Sequence, residues 1–406
     1  MQDLFAFLDS QSDYVVNLQR RLTAIPAVGP KNGGPGEEAK AVFMREHLRS
    51  LGLTDIRDYP APDPSVPSGF RPNIAVTIPG RDTSRTFWVI SHLDIVPPGD
   101  LALWNSDPYE LIHQGDLIIG RGVEDNQQGL VSSLLLARHL LEHKITPAMN
   151  YGMLFVADEE TGSVFGLDYV LREHPGIFGK NDLFLIPDFG QPDSGMVEVA
   201  EKSMFWLQVT VHGRQCHGST PEKGINSLVA AADHILRIRG LYKEFADADP
   251  LFDPPVSTFE PTKKEANVGN INTLPGRDVF YVDMRVLPHY SLDTVLARIQ
   301  ELGREVEREH GVRIEYATVQ REQAAPPTPK DAEIVAKTMA AIRTVYGGEP
   351  KPVGVGGGTV AAFLRRRGHQ AVVWATLNHF AHQPNEQASI QATINDAKVM
   401  GLVLLG

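Results

Sequence analysis

His92 and Asp94 stand at the end of an apolar run, Phe87-Trp88-Val89-Ile90. Residues i and i+2 of a strand point to the same side, so both would face one site. A neutral imidazole is a good ligand for a zinc-type ion, and a carboxylate can hold its other ring nitrogen. Alone, the pair also reads as a satisfied structural histidine. Three further carboxylate positions follow the same pattern. Asp125 precedes a helix-forming run, where the macrodipole favours a negative charge; a plain N-cap is the competing reading. Asp158, Glu159 and Glu160 follow Met153-Leu154-Phe155-Val156, and adjacent carboxylates at a buried strand end repel one another unless a cation sits among them. Asp188 follows the run Leu183 to Ile186. Late in the sequence, His379 and His382 lie in Asn378-His-Phe-Ala-His-Gln-Pro-Asn-Glu386, and on chemistry either imidazole could ligate. Two imidazoles with several carboxylates suit two divalent ions of the zinc, cobalt or manganese type. Such a pair polarises a carbonyl and activates water near neutral pH, and a carboxylate beyond those needed for ligation can serve as general base.

The elements that must position these residues alternate between strand and helix. Leu4, Leu8, Val15, Leu18 and Leu22 recur at helical spacing and predict one amphipathic helix over the first ~22 residues. A second helix is expected over Glu37–Leu51, and the proline-rich stretch Pro60–Pro72 reads as a surface connection. Strands are expected over Asn73–Ile78, Thr86–Ile90, Tyr151–Ala157 and Leu183–Ile186, with a helix over Asn126–His143. Three of these strands deliver a ligand-type residue at the C-terminal end, the edge where open α/β sheets form their sites. From about Met204 the pattern becomes β-α-β-β-α-β: strand Phe205–Val211, a helix capped by Asn226, a short strand near Val268–Asn272, strand Asp278–Leu287, a helix capped by Ser291 and strand Arg313–Val319. That order predicts a ferredoxin-like unit inserted into the first. Lys330–Tyr346, Thr359–Arg367 and a final helix, with strand Gln370–Trp374, complete the first unit. The expected fold is α/β, a mixed-sheet binuclear-metal hydrolase domain (1–202 and 323–406) interrupted by an α+β lid and dimerisation domain (203–322).

Composition narrows the function. A chain of 406 residues exceeds one usual core. Net charge of −12 disfavours nucleic acid or an anionic membrane as partner. Cys216 is the single cysteine, so no disulfide framework exists within the chain. The opening stretch lacks a basic start and apolar core, and no apolar run approaches bilayer length, so a cytoplasmic location is expected. Gly120-Arg121-Gly122 lacks the Gly-Lys-Ser/Thr ending and the G-x-G-x-x-G pattern of nucleotide loops.

Taken together, the motifs resemble those of the M20 metallopeptidase family of dipeptidases, N-acyl-amino-acid deacylases and succinyl-diaminopimelate desuccinylases. The resemblance runs in order through Ser91-His92-Leu93-Asp94, Gly120-Arg121-Gly122-Val123-Glu124-Asp125, Asp158-Glu159-Glu160-Thr161-Gly162, His217-Gly-Ser-Thr-Pro221, Asn272-Thr-Leu-Pro275 with Asp283-Met284-Arg285, and His382-Gln-Pro-Asn-Glu386. It implies that Asp125 bridges two divalent ions, zinc first, with cobalt or manganese as alternatives. His92 and Asp188 would complete one shell, Glu160 and His382 the other. It makes Glu159 the general base, Asp94 the residue that orients His92, and His217, rather than His212, a donor to the tetrahedral oxyanion. Arg285 and Asn272 would hold a substrate carboxylate. The loop Gly356-Gly357-Gly358-Thr359, which opens a helix, could bind an anion through backbone N–H groups. Two departures stand near the expected site: Asn126-Gln127-Gln128 replaces an acidic residue, Lys and Gly, and Val360-Ala361 replaces Ser-Asp. Both predict altered substrate recognition. The resemblance implies a homodimer formed through the insertion and hydrolysis of an amide or peptide bond in a small carboxylate-bearing substrate. Dipeptidase-like activity comes first, N-acyl-amino-acid deacylation such as desuccinylation second. A metal-binding protein without catalysis is the third reading, and Glu159 beside a full ligand set counts against it.

Overall fold

The computed structural model describes residues 2–406, which divide into two compact units. The first runs through Val199 and resumes over Thr328–Val353 and Thr359–Gly406; the second comprises Ala200–Pro327 with Gly354–Gly358.

The first unit is built on an eight-stranded mixed sheet in the order Ile56–Asp58, Ile74–Ile78, Met149–Val156, Asp82–His92, Leu183–Gly190, Ala371–Ala375, Met196–Glu201, Lys351–Val355. The four central strands are parallel. Parallel strands are buried on both faces and therefore read as continuous apolar runs; Phe87–Ile90, Met153–Val156 and Leu183–Ile186 are buried throughout. Register sets the site. Phe87 pairs with both Tyr151 and Leu183, which brings His92 level with Val156. The ends of three central strands thus open on one edge of the sheet, with Asp188 inside a strand that runs on to Gly190.

Helix Gln127–Glu142 is buried nearly all round and packs on the strands and on helices Ser12–Thr23 and Ile390–Leu405. Its approach depends on Gly129, where a Cβ would lie 2.3 Å from the ring of Pro187. The start of this helix is therefore pressed against the strand that carries Asp188.

Two local expectations are corrected here. The first ~22 residues form two helices, Gln2–Asp9 and Ser12–Thr23. The Ser10 hydroxyl and the Gln11 side-chain amide both bond the Phe7 carbonyl, ending the first helix while the leucine spacing continues. The stretch Pro60–Pro72 is only partly a surface connection. It contains the paired strands Ala61–Pro62 and Phe70–Arg71, and it buries Asp63 and Arg71.

The second unit is a four-stranded antiparallel sheet, ordered Thr258–Lys264, Arg277–Val286, Ser203–His212, Arg313–Glu322, packed with helices Ser227–Arg239 and Leu292–His310. The chain order is β-α-β-β-α-β, as expected for a ferredoxin-like unit. Asn226 and Ser291 cap the two helices through their side chains. The short strand lies at Thr258–Lys264 and not at Val268–Asn272. Pro261 obscures it in the sequence, but the strand is at the sheet edge and carries a bulge there, where proline is tolerated. Among the described residues no helix is long and apolar enough to cross a membrane.

Candidate metal centre and active site

The sheet edge of the first unit gathers His92, Asp125, Glu159, Glu160, Asp188 and His382. Asp125 has one oxygen on each side: Oδ1 lies 2.8 Å from His92 Nε2 and Oδ2 lies 3.1 Å from His382 Nε2. Asp188 Oδ1 is 3.6 Å from His92 Nε2, and Glu160 Oε2 is 3.0 Å from His382 Nε2. Two sets of donors fall within 4.8 Å of one another: His92, Asp125 and Glu160, and His92, Glu159 and Asp188. Donors at about 2.0–2.1 Å from one tetrahedral ion lie roughly 3.3–3.4 Å apart, so donors this close could close round divalent ions, and the Asp125 carboxylate lies between the two imidazoles. Glu160 Oε1 is buried and has no hydrogen-bond partner among the described residues, as expected of an oxygen reserved for a cation. His379 is set apart from this cluster and meets Gln191 Oε1 at 3.0 Å instead.

Electrostatics agree with a site built for cations. Burial alone would discharge His92, but Asp188, Asp125 and Asp94 outweigh it and hold the imidazole well above its ordinary pKa. Hydrogen bonds to Asp125 and Glu160 push His382 up to about 10. Burial would raise Asp125, yet its two imidazole partners draw it well below the usual carboxylate range. Burial, with the charges of Asp188, Glu160 and Asp125, holds Glu159 well above that range. Burial and then Asp125 raise Glu160 as well. A carboxyl with a raised pKa is suited to take and return a proton near neutral pH.

What holds these residues was only partly visible in the sequence. Asp94 supports two strand ends at once. Its backbone carbonyl lies 3.0 Å and its carboxylate 3.4 Å from His92 Nδ1, and its two carboxylate oxygens each accept a backbone N–H at 3.1 Å, from Glu159 and Glu160. Asp158, the first of the adjacent acids, faces away from the ligands. It is fully buried against Arg71, which also pairs with Glu37 and Asp63. The Asp158 backbone is left-handed (φ 61°), and this turn lets the side chain go inward while the next two carboxylates reach the site. Two of the three partners of Arg71, Glu37 and Asp158, stand 34 and 87 residues away from it, and no local motif announces them.

The first departure, Asn126-Gln127-Gln128, lies inside the fold beside the candidate ligands. All three are buried. Asn126 Nδ2 donates to Pro187 O at 2.7 Å and to Asp188 Oδ1 at 2.8 Å. Gln128 donates to Thr376 O and Asp396. Asn126 therefore orients the Asp188 carboxylate, and the glutamines serve packing.

In the second unit, His217 and Asn272 are brought together. Strands Cys216–His217 and Thr273–Leu274 pair, and Gly218 N donates to Asn272 O at 2.7 Å. Ser219 meets His217 Nδ1 twice, through its backbone N–H at 3.2 Å and its Oγ at 2.7 Å, and Nε2 makes neither of these contacts. His212 is held elsewhere, 2.9 Å from Glu315. Arg285 spans Asp283 with Nε (2.7 Å) and Nη2 (3.1 Å), and its Nη1 reaches Gly356 O at 2.7 Å. Gly357 and Gly358 have open space where a side chain would be. Thr359 Oγ1 accepts from Ala361 N at the start of a helix that runs only Ala361–Arg366. Asp233, Glu309 and His310 also come within ligand reach of one another, but Arg237 already bridges Asp233 and Glu309.

Residues 88–405 match the family model for peptidase family M20/M25/M40. An uncharacterised metallohydrolase of Methanococcus maripaludis is 39% identical over 95% of this chain and 97% of its own length. A succinyl-diaminopimelate desuccinylase of Nautilia profundicola is 25% identical over 92% of this chain and 94% of its own. The solved structure of the dipeptidase Dug1p from Saccharomyces cerevisiae superposes with a TM-score of 0.74 at 17% identity, covering 100% of this chain and 98% of that one; this likeness bears on the fold alone. The chain belongs to peptidase family M20/M25/M40 and is a metallohydrolase of that family.

Proposed function

We propose that this protein hydrolyses an amide or peptide bond in a small substrate bearing a carboxylate, with dipeptide-like substrates first. The observation that carries the reading is the division of Asp125 between His92 and His382, with Glu159 within reach of His92 and Asp188. His92 and Asp188 would hold one divalent ion, Glu160 and His382 a second, and Asp125 both; zinc suits this donor set, and cobalt or manganese would also bind. The ions, when bound, polarise the scissile carbonyl and lower the pKa of water. Glu159 takes the proton of the attacking water and returns it to the leaving amine. His217 donates from Nε2 to the developing oxyanion. Asn272 and Arg285 contact the substrate carboxylate, with Arg285 sharing its charge between that group and Asp283, and the segment Gly357-Gly358-Thr359 contributes backbone N–H groups. A homodimer formed through the second unit would place His217 in a partner's site.

A second reading, N-acyl-amino-acid deacylation, is supported by the desuccinylase relative, which aligns over most of both chains. The test is a panel of dipeptides and N-acyl amino acids, N-succinyl compounds included, offered to protein reconstituted with Zn2+, Co2+ or Mn2+. Turnover of dipeptides above acyl substrates is expected. Absence of turnover on every member with two ions bound would leave a metal-binding protein without this activity.

A further inference from the structure

Two buried glutamates outside the ligand set tie together the loops that carry Asp125 and His382. Glu124 is 1% exposed, and its carboxylate accepts three backbone N–H groups from the His382 loop: Asn378 at 2.5 Å, Phe380 at 2.5 Å and Ala381 at 2.8 Å. Glu386 is 0% exposed and does the reverse. It accepts Gly122 N at 2.9 Å, Glu124 N at 2.9 Å and Asp125 N at 3.0 Å, and Arg121 Nη1 at 2.7 Å. Each loop thus wraps its amides around a carboxylate that belongs to the other.

The His382 loop needs this. His379, His382 and Asn385 all have left-handed backbones, with φ of 64°, 65° and 59°, a conformation that costs energy in non-glycine residues and persists only where surroundings enforce it. Three amides turned toward one buried carboxylate supply that enforcement. With Asn385 the loop is also fastened at its far end, through Asn105 N at 2.8 Å and Leu103 O at 2.9 Å. An ionised carboxylate is the one side chain that accepts three N–H groups at once; an amide of the same shape presents an NH2 donor to them.

We infer that Glu124 is a positioning residue for the second metal site: its carboxylate sets the left-handed turn that presents His382, and so governs the ion held by His382 and Glu160 far more than the ion held by His92 and Asp188. The inference rests on the metal centre proposed above.

The test compares wild type with Glu124→Gln. In metal-free protein, hydrogen exchange at Asn378, Phe380 and Ala381 is expected to be slow in wild type and faster by an order of magnitude or more in the variant. Titration with Zn2+ should then show the second ion weakened by about 10–100-fold, the usual effect of losing a supporting hydrogen bond, with the first within a few-fold of wild type. Excess Zn2+ should restore turnover, since every ligand is still present. Unchanged exchange, or equal weakening of both ions, overturns the inference. If Glu124→Gln does not fold, Glu124→Asp keeps the charge with a shorter reach and carries the same readouts with smaller shifts. Wild type that never takes up a second ion would refute the ligand assignment itself, whereas exchange in the metal-free protein decides the Glu124 contact separately.

Discussion

Around the candidate metal centre of the first unit, the candidate side chains rest on buried charge; in the second unit, their counterparts are more exposed and lean mainly on neighbours two residues away. His92, Asp94, Glu37, Arg71 and Asp158 are each at most 3% exposed, and their long-range hydrogen bonds join segments 33 to 121 residues apart. His217 is exposed and leans on Ser219, two residues on, while the half-buried Arg285 leans on Asp283, two residues back, and on Gly356 O, 71 residues on. A buried ion pair left without one partner is strongly destabilising, whereas an exposed local contact contributes little to stability. The first arrangement fixes donors where ions must bind. On the proposed function, the second lets the exposed His217 act on a substrate without putting the fold at stake.

The contrast can be tested by breaking each side in turn. Glu159→Gln should lower turnover by about 10²–10⁴ while both ions remain bound; near-normal turnover, measured beside metal content, would assign the base elsewhere. Arg71→Met should cost roughly 3–5 kcal/mol in urea unfolding of the metal-free protein, because Glu37 and Asp158 lose their shared cation. A change below about 0.5 kcal/mol, the size usual for surface substitutions, would dissolve the distinction drawn between the two units. His217→Ala should lower kcat by about 10²–10³ without moving metal content or the unfolding midpoint. Mixed with Glu159→Ala chains, it should regain activity if the site is shared across a dimer; subunit exchange proven by mass without recovery would confine His217 to its own chain.

Smaller effects sharpen the picture. His382 in the metal-free protein is raised from 6.5 to about 10, so between these values an ion must displace its proton. Metal affinity should therefore climb with pH by up to tenfold per unit per proton released, and calorimetry in buffers of different ionisation enthalpy would count the protons. The same shift has a stability counterpart: the imidazolium contacts stabilise the metal-free fold fully below pH 6.5 and are lost as pH rises through about 10. Arg285→Lys should raise KM only several-fold, since Asp283 already shares the guanidinium, and an amidated substrate should be indifferent to the change. Equal effects on carboxylate and amide substrates would remove Arg285 from recognition.

The site was more legible in the sequence than the means of holding it. Apolar runs ending in His92, Glu159 and Asp188 marked the sheet edge because buried parallel strands are written as continuous hydrophobic segments. The order of strands and helices in the insertion was visible in the same way. By contrast, the strand Thr258–Lys264 was masked by Pro261 and by the exposure of an edge, and the break at Ser10 was hidden under unbroken leucine spacing. Arg71 and Glu124 carried no signal because most of their partners are distant in the chain; a buried arginine in a proline-rich stretch looks like any surface residue until the fold closes. Asn126-Gln127-Gln128 stood out as a departure, but spacing could not say that these side chains turn inward, toward Asp188, Thr376 and Asp396.

The separation between Glu386 and the Asp125 loop bears on how the protein is made. The amides of Gly122, Glu124 and Asp125 meet a carboxylate 261 to 264 residues further along the chain. At about 5–20 residues per second of synthesis, the interval between their emergence and that of Glu386 is roughly 10–50 s. During that time the second unit can complete its own sheet, while the Asp125 loop waits with unmet donors and the His382 side of the centre does not yet exist. On the proposed ligand assignment, loading of the second ion cannot precede synthesis of His382, and a ribosome stalled before that residue would carry a nascent chain with at most the His92 half of the metal centre.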